Sequence, residues 1–239
     1  MKKHILYRNS LAESIASVLA SKLATKEIDE DHLFETLHAT LTENPQIVSD
    51  SIQDLLWIRD IDPAATSFIQ PFLYYKGFHA VIVQRIGHRL WVTGDEEMRM
   101  IALMLQSRAS EKFSVDAHPG AKLSHAIMID HASGVVIGET ASIGHHCYIL
   151  HGVTLGATGK AGVFDRHPKV GNRVKIGAGA MILGNIPVSD DVVVGAGAIV
   201  TIPVGQGETV VGINRVLDAN QRKTANDALQ DMNTWMFTI

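Results

Sequence analysis

Residues 135–156 read VVIGETASIGHHCYILHGVTLG, and a branched apolar residue returns at every sixth position. A period of six fits neither the 3.6 residues of a helical turn nor the two of a single strand. It is typical of hexapeptide repeats, in which short strands stack into a prism with one apolar side chain per repeat pointing inward. The sequence therefore predicts a left-handed parallel β-helix. The repeat runs through Leu123, Ile129, Ile137, Ile143, Ile149, Leu155, Val170, Ile176, Ile182, Val188, Val194 and Val200.

Two interruptions of this repeat mark the predicted functional positions. The first inserts two extra residues and carries Asp130 and His131. The second inserts nine, forms an excursion loop over residues 156–169, and carries Arg166 and His167. Because a regular coil has no concave site of its own, we expect the chemistry at these interruptions.

Composition narrows the class of protein. The 239 residues are 46% hydrophobic and 19% charged, which is ordinary for a globular protein. No apolar run approaches a membrane span, and the N-terminus does not resemble a signal peptide, so no membrane association is expected. A net charge of −4 gives no reason to expect nucleic acid. Cys147 is the only cysteine, so no internal disulfide is expected, which suits the predicted cytoplasmic location.

The chain before the repeats predicts an N-terminal α-helical domain. Ser10 is expected to cap the first helix, Asp31 to open the second and Asn44-Pro45 to open the third. Two further helices are expected over about 72–91 and about 95–112. The apolar stripe predicted for the third helix comprises Ile47, Val48, Ile52, Leu55 and Leu56. The predicted domains are the helical domain, the β-helix and a C-terminal tail, over residues 1–113, 114–213 and 214–239.

His131 and Arg166 are the residues most suited to chemistry. Asp116 precedes His131 by fifteen positions, so in a coil of three hexads it becomes a near neighbour one coil away. Such a carboxylate can fix the tautomer of an imidazole that acts as a base. The alternative interpretation, equally compatible with the sequence, is that Asp116 only caps the first coil and His131 only lines a turn. Arg166 offers a planar fork for a carboxylate, and the alternative is a solvated loop charge.

Eight short motifs carry a resemblance to a known family: Asp62-Pro63-Ala64, Lys76-Gly77-Phe78-His79, Arg85-Ile86-Gly87-His88, Val115-Asp116-Ala117-His118-Pro119, Ile129-Asp130-His131-Ala132, Gly138-Glu139-Thr140, Val153-Thr154-Leu155-Gly156 and Asp165-Arg166-His167-Pro168-Lys169. In this order they resemble bacterial and plant serine acetyltransferases. The resemblance extends from Ile15 to Gly212. It includes the helical domain, which most other hexapeptide acyltransferases lack.

The resemblance implies a reaction and a site. Acetyl-CoA gives its acetyl group to the hydroxyl of L-serine, which yields O-acetyl-L-serine in the first step of cysteine biosynthesis. By position, His131 is the general base and Asp116 orients it. No metal is required. A free amino acid needs both of its charges matched, and the implied pocket supplies Asp62 and Asp130 for the ammonium, Arg166 for the carboxylate, and His167.

The resemblance also implies an assembly and partners. Family members form trimers, and coenzyme A lies between neighbouring subunits, where Thr158, Gly177 and Ala178 are expected to contact it. Two trimers pair through extra N-terminal helices, and this N-terminus is shorter than usual, so a hexamer is left open. L-cysteine is implied as a feedback inhibitor. In many members the final Ile enters the active site of O-acetylserine sulfhydrylase, so Ile239 is the predicted anchor for that partner.

Three departures from the family pattern concern coenzyme A and the loop. Gly156-Ala157 stands where two glycines are usual, so an added Cβ faces the expected thioester position. Val163-Phe164 lengthens the loop by one residue. Gly212-Ile213-Asn214-Arg215 replaces the usual end of the coil.

Other functions are open on the residues alone. The acceptor of an acetyl group is alternatively homoserine, a sugar or an antibiotic. A zinc hydratase on the same β-helix is a second reading, because His146 and His151 are five positions apart, although no third ligand matches. A third is a scaffold that has no catalytic activity and binds partners through its tail.

Overall fold

The computed structural model describes residues 2–92, 95–159, 164–218, 220 and 221. A short π-helical turn at Lys2–Leu6 comes first. The α-helices α1 to α6 follow at Leu11–Leu23, Glu30–Glu43, Pro45–Ile61, Ile69–Tyr74, Lys76–Val92 and Glu96–Phe113. None of these helices is long and apolar enough to cross a membrane.

The helix boundaries follow local capping. Ser10 accepts the backbone N–H of Glu13 with its side chain, as predicted. The prediction that Asp31 opens α2 was wrong, because Asp29 caps the helix and Glu30 begins it. The single helix expected over 72–91 is in fact two helices, α4 and α5. They are separated by Tyr75, whose extended backbone (ψ 108°) breaks the helical path.

The stripe predicted for α3 was also partly wrong. Ile47 is buried as expected, but Ile52 and Leu56 are 41% and 47% exposed. The buried face carries two polar residues instead, Ser51 and Asp54. Asp54 is buried because it pairs with an arginine of α5, and an analysis based on apolar residues alone cannot anticipate that partner.

Fifteen short strands follow α6 within the described residues. Their bounds, β1 to β15, are Val115–Ala117, Lys122–Leu123, Ile127–Ile129, Val135–Ile137, Ser142–Ile143, Cys147–Ile149, Thr154–Gly156, Lys169–Val170, Lys175–Ile176, Met181–Leu183, Pro187–Val188, Val193–Val194, Ile199–Val200, Thr209–Val211 and Arg215–Val216. They form three sheets: sheet I (β1, β4, β7, β10, β13), sheet II (β2, β5, β8, β11) and sheet III (β3, β6, β9, β12, β14, β15). Only β15 pairs antiparallel among these strands.

The pairing register confirms the predicted β-helix and locates its interruptions. Ile137 pairs with Leu155, eighteen positions on, as three hexads per coil require. Ile129 pairs with Ile149, twenty positions on, and Leu155 pairs with Ile182, twenty-seven on. The larger steps contain the two and nine extra residues that break the repeat in the sequence. The repeated apolar residues are buried from Ile129 to Val200, whereas Leu123 at the first coil is partly exposed.

The helical region packs directly on the first coils. Helices α3 and α5 contact β3, and α6 contacts β1. A buried ion pair joins the two parts: Arg85 Nη2 donates to Asp54 Oδ1 at 3.0 Å, and its guanidinium also donates to Asp54 Oδ2 and to the Ser124 carbonyl. The Ile127 N–H donates to Asp54 Oδ1 at 2.9 Å. One hydrophobic core therefore runs continuously through helices and coils.

Candidate active site

A cleft of about 580 Å³ opens where the helical region meets the corner between sheets III and I, here named the III/I corner. The end of α3 supplies Asp62, the start of α5 supplies Lys76, and the turn after β3 supplies Asp130 and His131. The structure thus brings together three of the site residues predicted from sequence, from positions far apart in the chain.

Two carboxylates with few solvent contacts lie in this cleft. Asp62 caps the end of α3, and its Oδ1 accepts the Ala64 N–H at 2.8 Å. The Oδ2 atom of Asp130 accepts the Tyr148 hydroxyl at 2.8 Å. Burial raises the pKa of the Tyr148 phenol well above its ordinary value, and the charge of Asp130 adds to this. Burial, followed by the nearby Asp62 carboxylate, raises the pKa of Tyr75 to about 12. Both phenols therefore remain protonated donors near neutral pH.

The turn that carries His131 has an unusual backbone. His131, Ala132 and Gly134 have φ of 56°, 49° and 74°. Left-handed backbone costs a non-glycine residue roughly 1–2 kcal/mol, so two in succession need support. Lys76 Nζ donates to Ser133 Oγ at 2.8 Å, and Ser133 Oγ donates to the His131 carbonyl at 3.3 Å. This support from α5 holds the turn, and His131 Nε2 lies 3.6 Å from Asp130 Oδ2.

Arg166 and His167 lie at a different corner, between sheets I and II, named the I/II corner. Thr140 organises them: its Oγ1 accepts the backbone N–H groups of Arg166 and His167, each at 3.1 Å. The Thr140 hydroxyl and backbone N–H both contact His167 Nδ1, at 2.8 and 3.2 Å. Nδ1 is therefore the acceptor, and Nε2 carries the proton of the neutral ring. Burial lowers the pKa of His167, and the charges of Arg166 and Lys169 lower it further.

The His167 ring fills the space that a side chain on Gly138 would need. A Cβ added at Gly138 would lie 2.1 Å from Nε2 of His167. Glycine is therefore required here by close approach. The residue comes from the Gly138-Glu139-Thr140 motif, so one short segment both admits and orients the imidazole.

Asp116 lies on the outer face of sheet I, between these two corners. Its neighbours Val115 and Ala117 are buried, so the carboxylate points outward, where its Oδ1 accepts the Gln106 amide at 2.6 Å. Among the contacts of the described residues, Asp116 and His131 make no hydrogen bond or ion pair with each other. The structure does not bring together the predicted catalytic pair within one chain.

The residues predicted to contact coenzyme A fall at both corners. Thr158 follows β7 at the I/II corner, whereas Gly177 and Ala178 lie at the III/I corner. A Cβ at Gly177 would lie 2.4 Å from the Ala196 backbone nitrogen, so the backbones pass very close there. The III/I corner beyond His131 is a ridge of glycines with left-handed backbone: Gly134, Gly152, Gly179 and Gly197.

The zinc reading finds no support in the geometry. His146 precedes β6 and packs edge-on against Trp57, with ring centroids 5.0 Å apart. His151 follows β6, so the two imidazoles lie at opposite ends of the strand. Over the described ranges, no group of three or more His, Cys, Asp or Glu side chains is arranged to hold a metal ion. His145 and His146 are both partly buried.

Comparison with known proteins places the chain in a family. Residues 1–82 match the N-terminal region of serine acetyltransferases. The chain is 42% identical to the serine acetyltransferase of Haemophilus influenzae over 235 residues, which are 98% of this chain and 86% of that protein.

The chain belongs to the serine acetyltransferase family.

Plant members of the serine acetyltransferase family are also similar but longer. The mitochondrial serine acetyltransferase 3 of Arabidopsis thaliana is 44% identical over 208 residues. That alignment covers 87% of this chain and 52% of the Arabidopsis protein. The chain therefore spans about half the length of this relative.

Solved structures of serine acetyltransferases share the fold. Soybean serine acetyltransferase complexed with serine has a TM-score of 0.86 at 42% identity, over 90% of this chain and 88% of that one. The Brucella abortus enzyme in complex with coenzyme A has a TM-score of 0.87 at 40% identity, over 90% and 85%. A serine acetyltransferase complex with cysteine has a TM-score of 0.87 at 42% identity, over 91% and 83%.

Two residues that hold site side chains in this serine acetyltransferase relative were missed in the sequence. Tyr148 pairs with Met128 of the neighbouring coil, twenty positions earlier, and its hydroxyl reaches Asp130 two residues further along. Thr140 lies twenty-seven positions before His167, one coil plus the nine-residue excursion. The coil period, once the length of the loop is added, was therefore a signal for Thr140 but not for Tyr148. The predicted partner anchor Ile239 and the inserted Val163 lie outside the described residues.

Proposed function

We propose that this chain catalyses the acetyl-CoA-dependent O-acetylation of L-serine to O-acetyl-L-serine, the first step of cysteine biosynthesis. The observation that carries the proposal is the cleft in which Asp62, Asp130 and His131 lie together. Two carboxylates of limited exposure match one ammonium group. An imidazole beside them is placed to take a proton from a hydroxyl on the same small molecule.

The proposed step transfers the acetyl group from the thioester sulfur of acetyl-CoA to the hydroxyl oxygen of L-serine. His131 takes the proton of the serine hydroxyl as that oxygen attacks the acetyl carbonyl carbon, so a C–O bond forms. The C–S bond of the thioester then breaks, and the leaving thiolate takes the proton from His131. Asp130, 3.6 Å from Nε2, stabilises the imidazolium that forms in between.

The site is completed across a homotrimer in this proposal. Arg166 and His167 lie at the opposite edge of sheet I from His131, so a neighbouring protomer supplies them for the serine carboxylate. Asp116, on sheet I between the two corners, faces the same interface and orients the neighbour's His131. Val136 and Met181 on the outer face of sheet I are 39% and 41% exposed, which supports a protein contact on this face.

Acetyl-CoA is proposed to lie along the III/I corner beside the glycine ridge. The glycines of the ridge have no side chains, so a ligand can approach the backbone closely there, and Gly177 and Ala178 lie beside the ridge. Thr158 reaches the same groove from the neighbour's I/II corner. Ala157 adds a methyl group close to Thr158, so substitution of Ala157 by Gly is expected to lower the KM for acetyl-CoA.

A thiol-release assay with acetyl-CoA tests the reaction directly. L-Serine, L-homoserine, a hexose and an aminoglycoside antibiotic are compared as acceptors. We expect kcat/KM for L-serine to exceed that for L-homoserine by at least about tenfold, because one extra methylene moves the hydroxyl away from the base. A preference for any other acceptor, or no thiol release with L-serine, overturns the proposal.

L-Cysteine is proposed to inhibit competitively with L-serine. It carries the same ammonium and carboxylate, so Asp62, Asp130 and Arg166 bind it equally well. When the rate is measured against L-serine at several fixed concentrations of cysteine, we expect the same maximal rate in every series and a rising apparent KM for L-serine. A maximal rate that falls with cysteine while the KM for serine stays constant would show that cysteine binds elsewhere.

Further assembly is proposed for the tail and the helical region. Ile239 is proposed to anchor O-acetylserine sulfhydrylase, and a peptide of the last ten residues should bind that enzyme only when Ile239 is present.

Pairing of two trimers is proposed through the apolar groove lined by Leu11, Phe68 and Ile69. Analytical ultracentrifugation of wild type and Phe68→Ser distinguishes trimer from hexamer.

The single cysteine supports a cytoplasmic location, which fractionation of cells tests.

A further inference from the structure

Tyr148 is a phenol that the reaction described above does not use. It lies on β6 between Cys147 and Ile149, which point into the core, so its side chain points outward toward the helical region. There it reaches Asp130 one coil away, with its hydroxyl 2.8 Å from Oδ2. The hydroxyl thus joins a rigid strand of the coil to a carboxylate at the cleft.

The polar contacts of the Asp130 side chain are both on one oxygen. Tyr148 and His131 both approach Oδ2, at 2.8 and 3.6 Å. The Oδ1 atom makes no hydrogen bond with any described residue, so it remains available to a ligand in the cleft. The carboxylate therefore has one oxygen held by the protein and one that is free to accept a hydrogen bond.

A second phenol lies near the second carboxylate. Tyr75, at the junction of α4 and α5, lines the same cleft as Asp62 and Asp130. A phenol donates a hydrogen bond without a positive charge. Tyr148 therefore orients Asp130 but leaves its negative charge for a cationic ligand, which a lysine or arginine in the same place would neutralise.

We propose that Tyr148 is a positioning residue of the acceptor site, which fixes Asp130 so that Oδ1 meets the ammonium of the acceptor while Oδ2 stays beside His131. This inference rests on the proposed function, because it assigns the ammonium of L-serine to Asp130. It makes acceptor affinity depend on a hydroxyl group that does not touch the acceptor.

The test is Tyr148→Phe, which removes one oxygen and keeps the ring. The matched control is Tyr7→Phe, because Tyr7 is 72% exposed and is not among the residues that line the cleft. We expect the KM for L-serine to rise at least about fivefold in Tyr148→Phe, since a hydrogen bond to a charged group is lost. In Tyr148→Phe the KM for acetyl-CoA and the melting temperature should stay at wild-type values. In Tyr7→Phe all of these parameters, including the KM for L-serine, should stay at wild-type values. Calorimetric titration with L-serine alone should show the same loss of affinity.

The outcomes separate this inference from the proposed function. If wild-type protein acetylates and binds L-serine and Tyr148→Phe does so equally well, the inference is wrong and the function stands. If wild-type protein does not bind L-serine, both are wrong. A fall in melting temperature with equal losses toward both substrates would assign Tyr148 a purely structural role and overturn the inference. In an Asp130→Asn background, Tyr148→Phe should cause no further loss of serine affinity, because the two residues act as one unit.

Discussion

His131 combines a strained backbone with an exposed imidazole, and this predicts how its replacement behaves. Its side chain is 70% exposed and contributes little to the core. We expect His131→Ala to lower kcat by about 10²–10⁴-fold, the usual effect of removing a general base, with the melting temperature unchanged. His131→Asn is the matched control for the backbone, since asparagine tolerates φ of 56° better than alanine does. Near-normal turnover in both variants would show that another group is the base.

Gly138 makes a separate prediction for the arginine corner. In Gly138→Ala the new methyl group would overlap the His167 ring, so the ring and the adjoining Arg166 must move. We expect the KM for L-serine to rise at least about tenfold, because the bond lost is to a charged carboxylate. The control is Gly87→Ala, whose Cβ meets no heavy atom closer than 3.6 Å. Unchanged serine kinetics in Gly138→Ala would remove His167 and Arg166 from the acceptor site.

At the scale of single residues, the sequence indicated which side chains lie at interruptions but not what holds them. His131 and Arg166 stand out because each breaks a regular repeat. Their supports do not stand out: Tyr148 and Thr140 occupy ordinary positions within the repeats. The Thr140 contact follows from the coil period combined with the length of the excursion loop, whereas Tyr148 is in register with Met128 and reaches Asp130 diagonally, which the period does not indicate.

Among the elements, the strands were more predictable than the helices. Each coil repeats the same spacing of apolar residues, so a wrong prediction at one position does not change the prediction for the other coils. Helix α3 has no such redundancy, and its stripe was misplaced because Asp54 is buried against Arg85 of another helix. An acidic residue on a buried face can be recognised only when its partner is known, and that partner is thirty-one positions away.

The Asp54–Arg85 pair should therefore be a major contributor to stability. Asp54 is fully buried, and Arg85 is 5% exposed. Burial raises the pKa of Asp54, an effect that the Arg85 charge opposes. We expect Asp54→Ala to lower the free energy of urea unfolding by about 3–5 kcal/mol, because it leaves a buried guanidinium unpaired. In Asp50→Ala, one helical turn earlier and nearer to solvent, the loss should stay below about 1 kcal/mol. Similar losses in both variants would contradict a special role for the buried pair.

His79 predicts a loss of stability in acid. It is buried in α5, where its Nε2 donates to the Phe72 carbonyl at 2.8 Å, and burial lowers its pKa from 6.5 to about 4. Between these two values the unfolded chain takes up a proton that the folded chain does not. Stability is therefore complete above pH 6.5 and declines as the pH falls toward 4.

The size of this effect at pH 5 is about 2 kcal/mol relative to pH 8. Urea unfolding of wild type and His79→Leu at both pH values measures it, because the leucine variant lacks this proton uptake. The pH-dependent loss should be smaller by about 2 kcal/mol in His79→Leu than in wild type. Equal pH dependence in the two proteins would show that His79 is not responsible.

For the whole molecule, the separation of the two corners predicts complementation between inactive variants. If His131 and Arg166 of one active site come from neighbouring protomers, mixed trimers of His131→Ala and Arg166→Ala each contain one intact site. Random reassembly should then restore about a quarter of the wild-type activity. The measurement is thiol release after the two variants are denatured and refolded together.

Each variant refolded alone is the control, together with a variant that carries both substitutions in one chain. Trimers of that double variant contain no intact site, whether the two residues of a site come from one protomer or from neighbouring protomers. Recovery no greater than the sum of the separately refolded variants would place both residues of a site in the same protomer. Sizing of the mixture checks that trimers have formed again.

The excursion loop has a consequence for how such proteins diverge. Val170 rejoins the coil in register with Ile143, so the nine extra residues leave the phase of every later strand unchanged. Lineages can lengthen, shorten or rewrite this segment without any compensating change in the scaffold. The loop that is proposed to carry substrate-binding residues can therefore change in sequence and length independently, while the coil is constrained by the need to stack.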